Sequence, residues 1–333
     1  MTGPLTEAEL EEQLSRPTAA DITHAAALEG EVLVLGASGK MGPSLVHLAK
    51  RAAIAAGRDT RVIAVSRSGV ETEGIETIAC DLLEPGALAR LPEAKNVIFM
   101  AARKFGTSGS EHLTWAMNTY LPGMVAERYR DSKIVAFSSG NVYGKTMVPG
   151  GSTESSPLAP VGEYAQSVLG RERIFEYGSA RWGTQVVLLR LNYAVELRYG
   201  VLVDIARAVF GKVPVDLRMG YVNCIWQRDA NSVALRSLSL CSRAPAILNL
   251  TGPETLSTRW IAEEFGRRFG VEPIFRGEEG RDALLNNAAR SHELFGLPTV
   301  TPDQLIDWIA AWVSRGNPLL NKPTHFDVHD GKF

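Results

Sequence analysis

Three closely spaced glycines, in Gly36-Ala-Ser-Gly39-Lys-Met-Gly42, constrain the fold more than any other feature of the chain. They directly follow Glu31-Val-Leu-Val-Leu-Gly36, a short apolar run typical of a strand buried in a parallel sheet. A helix-length segment comes next. Glycine in such a place permits a tight turn, lets backbone N–H groups approach an anion, and lets the helix pack closely against the strand. The motif therefore predicts a phosphate-binding turn between a strand and a helix.

Apolar runs and helix-length segments alternate throughout the N-terminal half of the chain. After the first run, five more are typical of strands, at residues 61–66, 76–79, 96–101, 133–138 and 185–190. Strands that alternate with helices form βαβ units, whose right-handed crossovers produce a doubly wound parallel sheet with ligand sites at the carboxyl ends of its strands. The sequence therefore predicts an α/β fold of the Rossmann type.

Turn signals become frequent after residue 190, which predicts a smaller C-terminal α/β lobe for the substrate. We expect an N-terminal helical extension, a dinucleotide-binding Rossmann domain, and a substrate-binding lobe with a C-terminal tail, at residues 1–29, 30–190 and 191–333. Thr6 and Glu9 form a capping box for the first helix of the extension. Helices are also predicted at 258–269 and 302–313, the second with two tryptophans that we expect to pack a core.

The overall charge argues against a nucleic-acid partner. The formal net charge is −2, and the chain contains no long run of Lys and Arg. No apolar run approaches the roughly 18 residues that span a membrane. The acidic start, Thr6-Glu-Ala-Glu-Leu-Glu-Glu12, does not resemble a signal peptide. We therefore expect a cytoplasmic protein that has neither a nucleic acid nor a membrane as its partner.

Cysteine and histidine do not predict a metal site. Cys80, Cys224 and Cys241 are far apart and form no CxxC pair, so we expect neither a disulfide framework nor a zinc site. The C-terminal sequence His325-Phe-Asp327-Val-His329-Asp330 would place imidazoles and a carboxylate on one face if it were extended. Nothing in the sequence fixes that conformation, so no metal is predicted.

The GxxGxxG spacing resembles the glycine motif of the short-chain dehydrogenase/reductase superfamily, in particular its extended branch of nucleotide-sugar epimerases, dehydratases and reductases. Further stretches agree with this resemblance in the same order along the chain: Cys80-Asp81-Leu82, Ala101-Ala102, Asn118, Ser138-Ser139-Gly140-Asn141-Val142-Tyr143-Gly144 and Tyr164. The C-terminal half resembles the family more loosely, through Arg190-Leu-Asn192 and Asn249-Leu-Thr-Gly-Pro-Glu254. The resemblance covers nearly the whole chain from residue 31.

The resemblance implies a nicotinamide dinucleotide bound along the carboxyl edge of the sheet, with Asp81 near the adenine and with Ala101 and Ala102 lining the cofactor groove. The residues expected to contact the cofactor are Gly36, Ser38, Gly39, Lys40, Met41, Gly42, Ser66, Arg67, Asp81, Leu82, Ala101, Ala102, Asn118 and Tyr164.

The residues after the second strand discriminate between the two nicotinamide cofactors. An acidic residue there would accept hydrogen bonds from the ribose 2′-hydroxyl of NAD, but this chain has Ser66-Arg67-Ser68. Arginine cannot accept a hydrogen bond, whereas it can bind a 2′-phosphate, and Lys40 could approach the same group. Charge-assisted hydrogen bonds of roughly 1.5 to 3 kcal/mol predict a preference on the order of ten- to a hundredfold for NADP. NAD is the alternative if Arg67 is simply solvated.

Enzymes of this superfamily use a Ser or Thr, a Tyr, and a Lys four residues after the Tyr. The resemblance assigns Ser139 and Tyr164 to the first two roles, but Val168 occupies the lysine position. That lysine lowers the pKa of the tyrosine and holds the cofactor ribose. Lys104 is the better of two candidates to replace it, because some sugar epimerases carry a lysine there that approaches the cofactor. The other candidate, Arg171, we interpret as structural.

Two functions are compatible with these residues. The first is an NADP-dependent oxidoreductase or epimerase that acts on a hydroxyl or carbonyl of a sugar or sugar acid. Its substrate side is expected to include Asn141, Asn192, Tyr193 and Arg198. Dehydration is disfavoured, because Gly140 and Asn141 occupy the places of the Asp-Glu pair that nucleotide-sugar dehydratases use. The second function, favoured by Val168, is a cofactor-binding sensor or partner protein that has lost redox catalysis.

The resemblance also implies a homodimer, paired through helices near residues 111–130 and 164–178.

Overall fold

The computed structural model describes residues 3–69, 74–106, 108–322 and 324–326. Within them, seven parallel strands form one sheet: β1 (Val32–Leu35), β2 (Val62–Ser66), β3 (Glu76–Ala79), β4 (Asn96–Phe99), β5 (Lys133–Ser139), β6 (Gln185–Leu191) and β7 (Ala246–Leu250). Their spatial order is 7-6-5-4-1-2-3, so the strand order reverses between β1 and β4. The predicted doubly wound Rossmann-type fold is confirmed.

Six of these strands lie where the apolar runs predict them. The seventh, β7, pairs with β6 in parallel and comes from beyond residue 190, in the half of the chain where we expect the substrate lobe. Its sequence, Ala246-Ile-Leu-Asn-Leu250, is short and interrupted by an asparagine. That polar residue breaks the apolar run by which a buried parallel strand is otherwise identified.

Helices cover both faces of the sheet and build the C-terminal lobe. They are α1 (Glu7–Ser15), α2 (Ala19–Ala27), α3 (Gly42–Ala55), α4 (Ala87–Arg90), α5 (Glu111–Trp115), α6 (Leu121–Arg128), α7 (Gly162–Trp182), α8 (Val201–Phe210), α9 (Gln227–Arg236), α10 (Thr258–Phe269), α11 (Ala289–Phe295) and α12 (Pro302–Ser314). A π-helical turn, Ala116–Tyr120, joins α5 to α6. The two helices predicted in the C-terminal half are confirmed as α10 and α12.

Three hydrophobic cores hold these elements together. One lies between the sheet and α3 and α9, and a second lies between the opposite face of the sheet and α6 and α7. The third joins α8, α10 and α12, and it contains Trp308 and Trp312, which confirms that these tryptophans pack a core. Four pairs of two-residue strands complete the C-terminal side: Thr146–Met147 with Asp282–Ala283, Ala194–Val195 with Ile225–Trp226, Val215–Asp216 with Phe275–Arg276, and Tyr221–Val222 with Leu256–Ser257.

The N-terminal helices pack against the sheet-covering helices α3 and α9. The predicted capping box of α1 is present, with the Thr6 side chain accepting from the backbone of Glu9. Leu10 and Leu14 of α1 are completely buried. Asp21 of α2 is also completely buried and accepts a hydrogen bond from the Ser232 hydroxyl of α9. Residues of the extension thus contribute to the packing of the domain.

No described helix is long and apolar enough to cross a membrane. Cys224 and Cys241 are buried and Cys80 is partly exposed, and all three are free thiols. The described residues contain no group of three or more His, Cys, Asp and Glu side chains suited to a metal ion. Asp327, His329 and Asp330 of the C-terminal sequence lie outside the described residues.

Candidate functional site

The turn between β1 and α3 requires glycine at two positions. Gly36 has a φ of +93°, and a Cβ there would lie 2.6 Å from the backbone nitrogen of Ala101 at the end of β4. A Cβ on Gly42 would lie 2.1 Å from the carbonyl oxygen of Ala37. Gly39 is different, because the one atom near its Cβ position is the Gly36 carbonyl oxygen at 3.3 Å. The turn is therefore tight at its ends and open in its middle, over the first backbone N–H groups of α3.

A buried hydroxyl at the end of β2 has no hydrogen-bond partner among the described residues. It belongs to Ser66, whose side chain is 4% exposed. Arg67 follows it and is exposed to solvent. Most buried hydroxyls in proteins have a hydrogen-bond partner, which can belong to a bound molecule. A ribose hydroxyl beside the glycine turn would supply one, so the described residues fit the adenosine half of a dinucleotide.

Three predicted catalytic residues meet at the carboxyl edge of the sheet. Tyr164 lies in the first turn of α7, and its phenol is hydrogen-bonded to the hydroxyl of Ser139 at the end of β5. Lys104 follows β4, and its Nζ lies 5.7 Å from the centroid of the Tyr164 ring. Ser139 also donates to the Asn141 side-chain oxygen at 3.0 Å. A phenol, a hydroxyl and an ammonium group thus lie together.

Burial dominates the acid–base properties of this group. It raises the pKa of Tyr164, while the charge of Arg171 and the hydrogen bond with Ser139 act in the opposite direction. Burial also lowers the pKa of Lys104 to about 8, against the effect of Asp204. Both groups are therefore less readily ionised than in water.

Val168, in the place of the motif lysine, is almost completely buried one helical turn after Tyr164. It packs in a small apolar cluster with Val142, Tyr143 and the ring of Tyr164. This position therefore offers no charge to the phenol.

Residues 32–195 match the family model described as the NAD dependent epimerase/dehydratase family. This segment of the chain belongs to that family of enzymes. The resemblance identified from the sequence is thereby confirmed. No curated protein matches the chain by sequence.

Solved structures of epimerase/dehydratase family enzymes share the fold at low sequence identity. MoeE5 in complex with UDP-glucose and NAD is 20% identical, with a TM-score of 0.72 over 86% of this chain and 99% of the other. The UDP-glucose 4-epimerase of Thermus thermophilus in complex with NAD is 20% identical, with a TM-score of 0.70 over 86% and 99%. The epimerase Mth375 of Methanothermobacter thermautotrophicus is 16% identical, with a TM-score of 0.72 over 90% and 96%.

Two buried side chains hold the loop after β4 in this family member. Asn118, in the π-helical turn, accepts from the backbone nitrogen of Arg103 and donates to its carbonyl oxygen, both at 2.9 Å. The guanidinium of Arg171 donates to the carbonyl oxygens of Ala101 at 3.0 Å and Phe137 at 2.6 Å, and to the Asn118 side chain at 3.1 Å. These contacts join the ends of β4 and β5, and they position the segment that carries Lys104.

Other predicted cofactor residues lie around the same edge. The Asp81 side chain accepts from the backbone nitrogen of Leu83 at 3.0 Å, and Leu82 is buried in the core beneath it. Ala101 is buried and Ala102 exposed. Ser38 and Gly39 are exposed, whereas Lys40, Met41 and Gly36 are partly buried.

The predicted substrate residues face different surroundings. Asn192 is buried, and its side-chain nitrogen donates to Asn223 at 2.6 Å. Tyr193 is partly exposed and has a φ of 45°. The guanidinium of Arg198 is held by Glu196 and by two glutamates of α1, so it points towards the N-terminal extension. Asn141 is the predicted substrate residue whose side chain contacts Ser139.

A buried ionic network lies directly behind Ser139. Glu172 of α7 accepts two hydrogen bonds from Arg190, at 2.9 and 2.7 Å, and one from Ser138 at 2.5 Å. Arg190 also donates to the hydroxyl of Tyr143 at 2.6 Å, which in turn donates to the side chain of Asn249 on β7 at 2.9 Å. The network fixes β5, β6, β7 and α7 relative to one another. The buried ion-pair partner of Glu172 is therefore Arg190.

Two sets of contacts at the site were not predicted from the sequence. The ammonium of Lys40 lies 3.1 Å from the ring centroid of Tyr199, next to α8. Thr324 of the C-terminal tail donates twice to Asp204 on α8, and the ring of His325 lies 5.6 Å from that of Phe105. These contacts join residues more than a hundred positions apart, so no local pattern could have indicated them.

Proposed function

We propose that this enzyme moves hydride between a nicotinamide cofactor and a carbon of a sugar-like molecule, as an epimerase or oxidoreductase. The observation that carries the proposal is the hydrogen bond between Tyr164 and Ser139 beside Lys104. A phenol that is hydrogen-bonded to a serine and close to an ammonium group is suited to exchange a proton with a hydroxyl or carbonyl oxygen.

In the proposed reaction, Ser139 holds the reacting oxygen of the substrate. Tyr164 takes the hydroxyl proton during oxidation and returns it during reduction. Lys104 stabilises the phenolate while its ammonium is charged, because a nearby cation lowers the pKa of an acid. The pKa of Lys104, about 8, limits this effect to lower pH. The nicotinamide, when bound, accepts or supplies the hydride.

We propose NADP as the cofactor, with NAD as the alternative. The glycine turn, the Ser66 hydroxyl and the exposed Arg67 support binding of a dinucleotide with a 2′-phosphate. The solved neighbours described above name NAD, which supports the alternative. The residues that we propose to contact the cofactor are those predicted from the sequence. The ammonium of Lys40, one of these residues, lies against the ring of Tyr199.

Replacing Arg67 with Ala tests this choice of cofactor. We expect the unmodified enzyme to bind NADPH on the order of ten- to a hundredfold more tightly than NADH, and R67A to lose most of that ratio. Isothermal titration calorimetry measures both affinities. Arg61→Ala is the matched control, because Arg61 pairs with Glu76 at the opposite end of β2. Equal affinities in the unmodified enzyme would contradict the NADP proposal without affecting the fold.

Replacing Gly39 with Val tests the glycine turn. We expect affinity for NADPH and NADH to fall by at least about a hundredfold, since a side chain there occupies the place of the pyrophosphate and removes two or more hydrogen bonds of roughly 1.5 kcal/mol each. The fold should survive, because one carbonyl oxygen lies near that Cβ position. Unchanged affinity with an unchanged circular dichroism spectrum would refute the assignment of the turn.

The substrate is proposed to be a sugar or sugar derivative, bound beside Asn141 and Tyr193. Structural neighbours named as complexes with UDP-glucose and UDP-glucuronic acid support this class. The proposal is tested by incubating the enzyme and NADPH with keto-sugars, or NADP with sugars and UDP-sugars, and following absorbance at 340 nm. A change in absorbance that depends on the sugar supports hydride transfer.

A second candidate is a cofactor-binding protein without redox turnover. The buried Val168 favours it, because the usual cation beside the phenol is replaced by an apolar side chain. Epimerisation returns the hydride and leaves the NADPH concentration unchanged. Tight NADPH binding, with no change in absorbance and no conversion of any sugar to its epimer, would therefore support this candidate.

We also propose a homodimer formed through α5, the π-helical turn and α7, which pack against one another. Large exposed side chains on this surface support it, namely Leu113, Trp115, Tyr120 and Tyr177. Sedimentation equilibrium tests this proposal, and Tyr120→Glu should shift a dimer towards the monomer.

A further inference from the structure

Two lysine side chains from separate turns lie close to the ring of Phe105 at the carboxyl edge of the sheet. Lys40 belongs to the glycine turn after β1, and Lys104 follows β4. The Nζ of Lys40 lies 3.1 Å from the ring centroid of Tyr199 and 4.9 Å from that of Phe105. The Nζ of Lys104 lies 5.4 Å from the same Phe105 centroid. We call Lys40 and Lys104 the lysine pair, since both ammonium groups lie close to one aromatic ring.

Positive charges outnumber negative ones around Lys40 in the described part of the chain. The charges that act on it are those of Lys104, Lys322 and Asp204. The Oδ2 atom of Asp204 accepts two hydrogen bonds from Thr324, at 2.7 Å from the backbone nitrogen and 2.6 Å from the hydroxyl. The carboxylate that acts on Lys40, that of Asp204, therefore also holds the C-terminal tail.

Placing like charges together where water is partly excluded costs free energy, and the aromatic rings offset part of that cost. Burial and the charge of Lys104 lower the pKa of Lys40 to about 7. An anion beside the two ammonium groups would relieve the repulsion and favour the charged form of both.

We propose that the lysine pair binds an anionic oxygen group of the substrate, a carboxylate or a phosphate, so that the substrate is an acidic sugar. The inference rests on the proposed function, because Lys104 also lies 5.7 Å from the ring centroid of Tyr164. An anion bound by the pair therefore belongs to a molecule in the reaction site. Lys322, on the tail held by Asp204, adds a third positive charge to this end of the site.

The test is calorimetric titration of the full chain saturated with NADPH. The carboxylate probes are D-glucuronate and D-galacturonate, the phosphate probe is D-glucose 6-phosphate, and the uncharged parents are D-glucose and D-galactose. We expect at least one acidic probe to bind at least tenfold more tightly than its parent. Lys40→Met and Lys104→Met should each reduce that ratio several-fold. Lys50→Met is the matched control, since Lys50 lies on α3 and contacts Asp59, which follows that helix, so neither belongs to the lysine pair.

The outcomes separate the sources of the anion. Tighter binding of a uronate assigns the site to a carboxylate, and tighter binding of the sugar phosphate assigns it to a phosphate. Equal affinities of acids and parents, or no binding of any acid, would overturn the inference. The inference is also overturned if Lys40→Met weakens the binding of NADPH but leaves the ratio of acid affinity to parent affinity unchanged. In that case the lysine pair binds the cofactor pyrophosphate. Should one variant fail to fold by circular dichroism, Lys40→Gln and Lys104→Gln replace the two methionine variants.

The proposed function can fail separately from this inference. If NADPH itself does not bind, the proposed function is contradicted, and the same sugar titrations without cofactor still test the lysine pair.

Discussion

Tyr164→Phe should lower kcat/KM for hydride transfer by about a hundredfold to ten-thousandfold, the range that general acid–base catalysis contributes. The substitution removes one hydroxyl and keeps the ring, which packs with Val168, so the fold and NADPH affinity should change little. The rate of the change in absorbance at 340 nm, measured with a sugar that the enzyme oxidises or reduces, tests this prediction. If Tyr164→Phe retains full activity, Tyr164 contributes only to packing, and Lys104 is the first candidate for the group that exchanges the proton with the substrate.

The pH dependence of the same reaction follows from the surroundings of Tyr164. Burial raises the pKa of its phenol, so little phenolate is present at neutral pH. Oxidation of a sugar hydroxyl, which needs the phenolate as base, should therefore be slow at pH 7 and rise towards alkaline pH. Tyr164→Phe should abolish the alkaline rise.

Val168→Lys should move the alkaline rise to lower pH by roughly 1 to 3 units, if the new ammonium reaches the phenol. Val168→Met is the matched control, because it adds volume to the same apolar cluster without charge. A lysine that loses its proton in this cluster would leave the profile unchanged. An equal shift in both variants would show that packing, and not charge, sets the pKa of the phenol.

Glu172→Gln should destabilise the enzyme by about 3 to 5 kcal/mol, the cost of leaving a buried charge without its partner. The side chains of Glu172 and Arg190 are 0% and 2% exposed. Burial would lower the pKa of Arg190, but the hydrogen bonds and charge of Glu172 more than offset this and raise it. The guanidinium stays charged in the variant even without Glu172, because arginine is not deprotonated in proteins, and Tyr143 remains as an acceptor. Urea denaturation measures the loss.

Two further variants separate the buried pair from ordinary ion pairs. Glu76→Gln breaks the exposed pair with Arg61 and should cost no more than about 1 kcal/mol. The double variant Glu172→Met with Arg190→Met should recover much of the stability lost in Glu172→Gln, because apolar replacement removes both charges. A loss below about 1 kcal/mol in Glu172→Gln would contradict the role given to the network.

The sequence predicts those features that local patterns determine. The apolar runs predicted six of the seven strands. The glycine spacing with Ser139 and Tyr164 predicted a candidate site at the carboxyl edge of the sheet, where the structure brings Ser139 and Tyr164 together. Contacts between distant residues could not be predicted. The pairing of Arg198 with α1, the contact of Lys40 with Tyr199 and the return of Thr324 to Asp204 depend on how the lobes pack. Periodicity and spacing carry no information about such pairs.

A crystal structure of the enzyme with NADPH bound would show directly whether the cofactor meets Tyr164. We expect the pyrophosphate to lie against the backbone N–H groups of the glycine turn, and the reactive C4 carbon of the nicotinamide to face the hydroxyl of Tyr164. That geometry leaves room for a sugar carbon about 3 to 3.5 Å from C4, close enough to react. A nicotinamide that is turned away from Tyr164, or a cofactor that is bound elsewhere on the sheet, would contradict it.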